Sequence, residues 1–158
     1  TESVTVTPYT GFGYRYLNDD SSGMVRSTGG AGYERESNYF YIPGGVEAKV
    51  AMGEAWSVTP AVEYDIFLSG EQESHLSDAN LGYGDVTNDQ DDGYGVRGSV
   101  KFAYTGKDMD FVIEPFIRYW DIDKSNDSSV TYAGVIVGYG YEPANETTEF
   151  GVKIGMKF

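Results

Sequence analysis

The chain contains no cysteine, and it has only 11 Lys and Arg residues against 25 Asp and Glu. The absence of cysteine excludes disulfides, thiol catalysis and thiolate metal sites together. The formal net charge of −14 argues against a nucleic-acid partner, because affinity for phosphates comes mainly from Lys and Arg. We therefore expect no nucleic acid and no cofactor, and we expect the acidic segments to attract divalent cations.

Long apolar runs are also missing. No segment approaches the roughly eighteen uninterrupted apolar residues that a membrane helix needs, and no basic segment followed by an apolar one marks a signal peptide. We expect any export signal to have been removed. The 21 Gly, 14 Tyr and 8 Phe residues favour strands joined by turns, and the length predicts a single domain over residues 1–158.

Apolar and polar side chains alternate through six segments with the period of two that a strand requires. From Val4 to Tyr16, apolar and aromatic residues dominate the even positions, and Thr, Tyr9, Gly and Arg15 occupy the odd ones. At roughly nine to thirteen residues, these segments have the length that crosses a bilayer at a barrel tilt, whereas strands average about five or six residues. The six predicted strands are 4–16, 40–50, 56–68, 94–104, 111–119 and 150–158.

The predicted connections alternate between short and long, which is the pattern of outer-membrane barrels. Residues 53–55 and 105–110 form tight turns, whereas 18–38, 69–93 and 121–148 are long. The long connections are acidic: residues 69–93 carry seven acids and no Lys or Arg. We expect these acidic loops to lie outside the cell.

The polar phase of the six segments carries their charged side chains. A barrel of about eight strands is filled by its own side chains, so we expect these charges to pair in the lumen without leaving a large pore. A soluble β-sandwich would also separate charged from apolar side chains in this way. The strand length, the alternation of short and long connections and the aromatic residues near strand ends favour a membrane barrel instead. The predicted lumen charge network is Arg15, Glu47, Lys49, Glu63, Asp65, Arg97, Lys101, Glu114, Arg118, Lys153 and Lys157.

An internal repeat divides the chain into three hairpin units of about fifty residues. A Pro recurs on the apolar phase of each outgoing strand, at Pro8, Pro60 and Pro115. Because Pro removes a backbone donor from the strand ladder, we interpret its recurrence as a bulge near the short-turn rim.

The last strand alternates apolar residues and ends on Phe, and it resembles the C-terminal assembly signal of bacterial outer-membrane proteins. The matching positions are Phe150, Val152, Ile154, Met156 and Phe158. The whole chain resembles the small outer-membrane barrels of the OmpX, Ail, Opa and NspA kind. The resemblance implies integral insertion into the Gram-negative outer membrane by the outer-membrane assembly machinery, amid lipid and lipopolysaccharide.

The resemblance also implies at least eight strands, whereas six are placed. Two interpretations remain open. Either the long connections contain missed strand pairs, with 130–141 as the best candidate for a hidden strand, or the chain is the C-terminal part of a longer barrel and lacks an N-terminal strand pair.

The predicted fold is thus an antiparallel up-and-down transmembrane β-barrel of about eight strands. The predicted function is a non-enzymatic, structural or surface-contact role in the cell envelope. Three alternatives remain open: a small porin-like pore or transport barrel, an outer-membrane hydrolase using the loop around His75, and a soluble acidic β-barrel that binds a ligand.

A weak calcium-loop pattern occurs at Asp121, Asp123 and Asp127. It lacks the sixth-position Gly and the terminal Glu that such loops need, so we predict a solvated loop and no metal site there.

Overall fold

The computed structural model describes residues 3–25, 27 and 29–158. The fold is all-β, apart from one short helix, α1 (Leu76–Ala79). No helix within these residues is long and apolar enough to cross a membrane. The strands are β1 (Val4–Thr10), β2 (Gly13–Asp20), β3 (Glu34–Met52), β4 (Trp56–Ser74), β5 (Val86–Gln90), β6 (Gly93–Thr105), β7 (Asp110–Ile122), β8 (Ser128–Tyr132), β9 (Val135–Gly140) and β10 (Asn145–Lys157).

Eight strands form one antiparallel sheet in the order β1-β3-β4-β6-β7-β10. Strand β2 continues β1 along β3, and β5 lies along β4 beyond β6, so the eight strands occupy six positions across the sheet. The predictions of an all-β chain and of an antiparallel sheet of about eight strands are confirmed.

The strands extend well into the segments predicted as loops. The connections in the structure are therefore shorter than the predicted ones, 18–38, 69–93 and 121–148. Strands β3 and β4 each run for 19 residues. In these extensions of β3 and β4, polar side chains pair across the two strands on the buried face. Ser37 Oγ donates to Gln72 Oε1 at 2.6 Å. The two short connections fall where the alternation predicts them, after β3 and after β6.

The candidate hidden strand 130–141 is a hairpin. Strands β8 and β9 pair with each other in a separate two-stranded sheet. They are joined at Ala133 and Gly134, whose φ angles of 49° and 79° are those of a tight hairpin turn. The pair therefore adds no position to the main sheet, and the prediction of one strand here is wrong.

Two of the three repeated Pro residues interrupt a ladder without a bulge, whereas Pro8 pairs with Val46 in a continuous β1–β3 ladder. The β3–β4 pairing skips Pro60 and resumes in the same register, and the β6–β7 pairing does the same at Pro115. The missing N–H thus removes a bond but inserts no residue. The one register shift between β3 and β4 lies at Phe40 and Tyr41, far from the short turn, so the predicted bulge is wrong.

The two edges of the sheet are formed by β1 with β2 and by β10. Among the described residues no backbone ladder joins these edges, so the predicted closed barrel is not present as backbone pairing. The sheet is nevertheless curled, because Arg15 of β2 forms an ion pair with Glu149 of β10, at the opposite edge.

Glycines on the inner face make room for aromatic rings from neighbouring strands. A Cβ atom added at Gly151 would lie 2.4 Å from Cζ of Phe116, and one at Gly45 would lie 2.4 Å from Cζ of Tyr9. The rings thus cover the backbone of the adjacent strand, which allows the bulky inner side chains to fit within the curled sheet.

Candidate functional site

The apolar phase of the sheet faces outward and is exposed. Val62 in the middle of β4 is 61% exposed, and Phe150 on β10 is 78% exposed. Each has an acidic neighbour on the opposite face, Glu63 beside Val62 and Glu149 beside Phe150, as the alternation predicts. We call this outer surface the apolar belt; it includes Val4, Val6, Val46, Val62, Ile66, Val96, Phe102, Ile117, Phe150, Val152, Ile154 and Met156.

Aromatic side chains border the apolar belt at two levels. Near the short turns, the rings of Trp56 and Tyr104 lie 5.0 Å apart. Towards the long connections, Tyr94 lies 5.9 Å from Tyr64 and 6.2 Å from Tyr119. Trp56 and Tyr64 are separated by about 26 Å of strand at a rise of about 3.3 Å per residue, which corresponds to a height of about 20 Å at a strand tilt of about 40°.

Glu63 lies at the centre of the inner charge network and is buried. Its carboxylate accepts hydrogen bonds from Tyr9 Oη at 3.0 Å and from Arg118 Nη2 at 3.1 Å. Arg97 Nη1 lies 4.0 Å away. These groups come from β1, β4, β6 and β7, so one carboxylate connects four strands across the inner face.

Further ion pairs extend this network along the inner face. Arg97 pairs with Glu114 at 2.5 Å, and Lys101 pairs with Glu47 at 3.4 Å. The structure pairs eight of the eleven predicted network residues with one another; Arg15 pairs instead with Glu149, and Lys49 and Lys157 are exposed. The remaining pairs are Arg118 with Asp65 and Lys153 with Glu114, each at 3.7 Å.

An aromatic cluster fills the inner face between this network and the long connections. Trp120 is fully buried, and its ring lies 5.0 Å from that of Tyr41 on β3. The guanidinium of Arg15 lies 5.6 Å from the centre of the Trp120 ring. Tyr39, Phe67 and Ile122 complete the cluster. The alternation extended beyond residue 119 places Trp120 and Ile122 inside, but it gives no sign that they pack together.

Two ion pairs join parts of the chain that sequence reasoning left unconnected. Arg15 binds Glu149, and Arg35 binds Glu142. Glu142 lies in the predicted long connection 121–148, and Glu149 lies between that connection and the predicted last strand. Continuing the alternation of the last strand back by one residue would have placed Glu149 on the polar phase, whereas Glu142 carries no such signal.

His75 lies at the end of the molecule that holds the long connections. Its Nε2 lies 3.1 Å from Glu36 Oε2 and its Nδ1 lies 3.7 Å from Asp85 Oδ2. The hydrogen bond with Glu36 raises the pKa of His75, and the backbone N–H of Ser77 lowers the pKa of Asp85. Both ring nitrogens thus face carboxylates rather than a serine hydroxyl, and the catalytic arrangement considered for this loop is not assembled.

The calcium-loop candidates are not brought together. Asp127 pairs with Lys124 at 3.5 Å, whereas Asp121 lies on β7. Within the described residues, the one group of three ligating side chains whose atoms lie within 4.8 Å of one another is Glu36, Glu73 and His75.

No known protein family and no curated protein matches the chain. The geometry therefore defines the class of protein: an all-β chain whose antiparallel sheet exposes an apolar outer face and encloses paired charges.

Proposed function

We propose that the chain is an integral β-barrel of the bacterial outer membrane with a structural or surface-contact role. The observation that carries this proposal is the inverted distribution of side chains. Glu63 and Asp65 are buried while Val62 and Ile66, their neighbours along β4, are more than half exposed. An apolar outer face suits contact with lipid, and a polar inner face suits a barrel interior filled with paired charges.

The energetics of the outer face favour lipid over water. Exposed apolar area costs about 25 cal/mol per Å² in water, and monomeric soluble proteins rarely expose contiguous apolar patches beyond a few hundred Å². The apolar belt instead covers β1, β3, β4, β6, β7 and β10. In a hydrocarbon surrounding this cost disappears.

Closure of the sheet is part of the proposal. An unpaired edge in the hydrocarbon core leaves backbone N–H and C=O groups without partners, each at a cost of several kcal/mol. With six positions in antiparallel alternation, β1 and β10 run in opposite directions and are complementary as edges. The ion pair between Arg15 and Glu149 already links these edges through side chains.

The filled interior supports a role other than that of a large pore. Trp120, Tyr39 and Ile122 are at most 2% exposed, and the ion pairs around Glu63 occupy the next level of the inner face. Neither level leaves the wide aqueous channel that larger barrels contain. In this proposal the acidic connections are the part of the chain that contacts partners at the cell surface, where lipopolysaccharide surrounds them. Insertion by the outer-membrane assembly machinery through the strand that ends at Phe158 belongs to the same proposal.

The test is refolding in detergent micelles followed by gel electrophoresis with and without boiling. A closed membrane barrel gives strand-type circular dichroism and a heat-dependent mobility shift. A detergent-indifferent soluble monomer without a shift would contradict the proposal and favour a soluble acidic ligand-binding barrel.

A further inference from the structure

Glu36 and Glu73 face each other directly across the β3–β4 ladder. Both project from the outer face beyond the apolar belt, in phase with Asn38 and Glu71 on the same strands. Like charges at directly opposed positions destabilise a sheet. The imidazole of His75 lies against this pair, with Nε2 3.1 Å from Glu36 Oε2.

The backbone fixes this arrangement. The N–H of His75 donates to Glu34 O at 2.9 Å, which ties the residue that follows β4 back to β3. The N–H of Glu34 donates to Asp78 Oδ2 at 3.2 Å, so the start of β3 also holds the short helix in place. The three side chains therefore project from connected backbone.

A third acid lies beside the imidazole. Asp85 Oδ2 lies 3.7 Å from His75 Nδ1, and Asp85 Oδ1 accepts the backbone N–H of Ser77 at 3.0 Å. A carboxylate beside the outer ring nitrogen is the usual partner of a metal-binding histidine, because it fixes the tautomer that leaves the other nitrogen free to bind. Here the other nitrogen, Nε2, faces Glu36, and a carboxylate oxygen of Glu73 lies within 4.8 Å of the ligating atoms of both residues.

We infer that Glu36, Glu73 and His75 form a binding site for a divalent transition-metal ion of the Zn²⁺ type. Their ligating atoms lie within 4.8 Å of one another, close enough to surround a single ion. One imidazole nitrogen and two carboxylate oxygens suit Zn²⁺ better than Ca²⁺ or Mg²⁺, which prefer oxygen ligands alone. Three protein ligands also leave a coordination position for water or for a donor group of a partner molecule.

The charge around the site favours a cation. Residues 69–93 contain no Lys or Arg, and Arg35, the neighbour of Glu36 in sequence, is paired with Glu142. A bound ion would relieve the repulsion between Glu36 and Glu73 and would connect β3, β4 and the connection that follows β4. The inference does not depend on the membrane proposal, since the ligands lie beyond the apolar belt.

The test is titration of the refolded protein with ZnCl₂ in a calorimeter, with CaCl₂ as the comparison ion. We expect one Zn²⁺ per chain, binding more tightly than Ca²⁺. His75→Ala and Glu73→Gln should each weaken Zn²⁺ binding by more than tenfold, and Asp85→Asn, which changes only the orienting acid, by about tenfold.

Glu71→Gln is the matched control, because it removes one negative charge from the same face of β4 without removing a ligand. It should leave Zn²⁺ affinity within about twofold, and circular dichroism confirms the fold of each variant. The inference is overturned if the wild-type chain binds no stoichiometric Zn²⁺. It is also overturned if Glu71→Gln weakens Zn²⁺ binding as much as Glu73→Gln does. A third contrary result is that Ca²⁺ binds more tightly than Zn²⁺ and that His75→Ala leaves the Ca²⁺ affinity unchanged.

Discussion

Arg118 Nη2 lies 3.1 Å from Glu63 Oε1, although β6 separates the strands that carry the two residues. Second-neighbour strands lie about 10 Å apart, so these two long side chains reach towards each other across β6 on the inner face. The ion pair is also shielded, since the Glu63 side chain is 8% exposed and that of Arg118 is 19% exposed. This pair therefore joins two non-adjacent strands within the inner charge network.

Removal of the central carboxylate should strongly destabilise the fold. Glu63→Ala leaves Arg118 and the Tyr9 hydroxyl without their shared partner. Breaking a buried pair on one side costs up to about 3–5 kcal/mol when the remaining charge is uncompensated, and Asp65, 3.7 Å from Arg118, reduces this loss. Urea denaturation of the refolded protein in micelles measures the change in the free energy of unfolding.

Lys101→Ala provides the comparison, because its partner Glu47 is 3.4 Å away and both side chains are about one-third exposed. Screening should keep its effect to about 1 kcal/mol or less. Equal losses in the two variants would contradict a central role for Glu63.

A charge on the apolar belt distinguishes lipid from water. Val62 is 61% exposed, so Val62→Arg should cost almost nothing if this face meets water. In a bilayer the same change should cost about 2 kcal/mol, because a cation is moved into the hydrocarbon layer. The measurement is the free energy of unfolding from lipid vesicles, compared with that of the unmodified chain.

Leu81→Arg is the control for this experiment. Leu81 is 95% exposed and lies in the connection between α1 and β5, outside the apolar belt. It should tolerate the charge in any surrounding. If Val62→Arg were as neutral as Leu81→Arg in vesicles, the belt would not contact lipid.

The period of two was sufficient to predict which side chains lie on each face, as Val62 outside and Glu63 inside illustrate. It could not predict how far the strands extend, because the pairing of Ser37 with Gln72 joins polar residues that carry no apolar signal. Contacts between distant segments were equally hidden. The approach of Glu36, Glu73 and His75 depends on the β3–β4 register, which alternation alone leaves undetermined.

Adjacent glycines on β3 should respond oppositely to a methyl group. At Gly45 an added Cβ would meet the Tyr9 ring at 2.4 Å and Val62 O at 2.8 Å. Since the carbonyl belongs to the backbone, Gly45→Ala should cost about 1–3 kcal/mol by overpacking. At Gly44 the nearest atom, Tyr64 O, is 3.9 Å away. Gly44→Ala should therefore be neutral or stabilise the fold by up to about 1 kcal/mol.

Chemical denaturation of both glycine variants under identical conditions checks this difference. Similar values for the two would mean that the Tyr9 ring does not cover Gly45 in the folded protein. Near-ultraviolet circular dichroism provides a second measurement, since displacement of the Tyr9 ring should change the aromatic signal only in Gly45→Ala.

The ion pair between the sheet edges should contribute more than an exposed pair of the same type. Arg15 of β2 is 9% exposed and contacts Glu149 of β10 through both Nε and Nη2. A double-mutant cycle with Arg15→Ala and Glu149→Ala should give a coupling of about 1.5–3 kcal/mol, as for shielded hydrogen bonds between charged groups.

The corresponding cycle for Lys124 and Asp127 is the reference for this coupling. These side chains are more than half exposed at 3.5 Å, so their coupling should be about 0.5 kcal/mol. The edge pair should also keep most of its coupling at high salt, because screening acts mainly on exposed charges. A coupling at the edges no larger than the reference would mean that the side chains of β2 and β10 do not hold the curled sheet together.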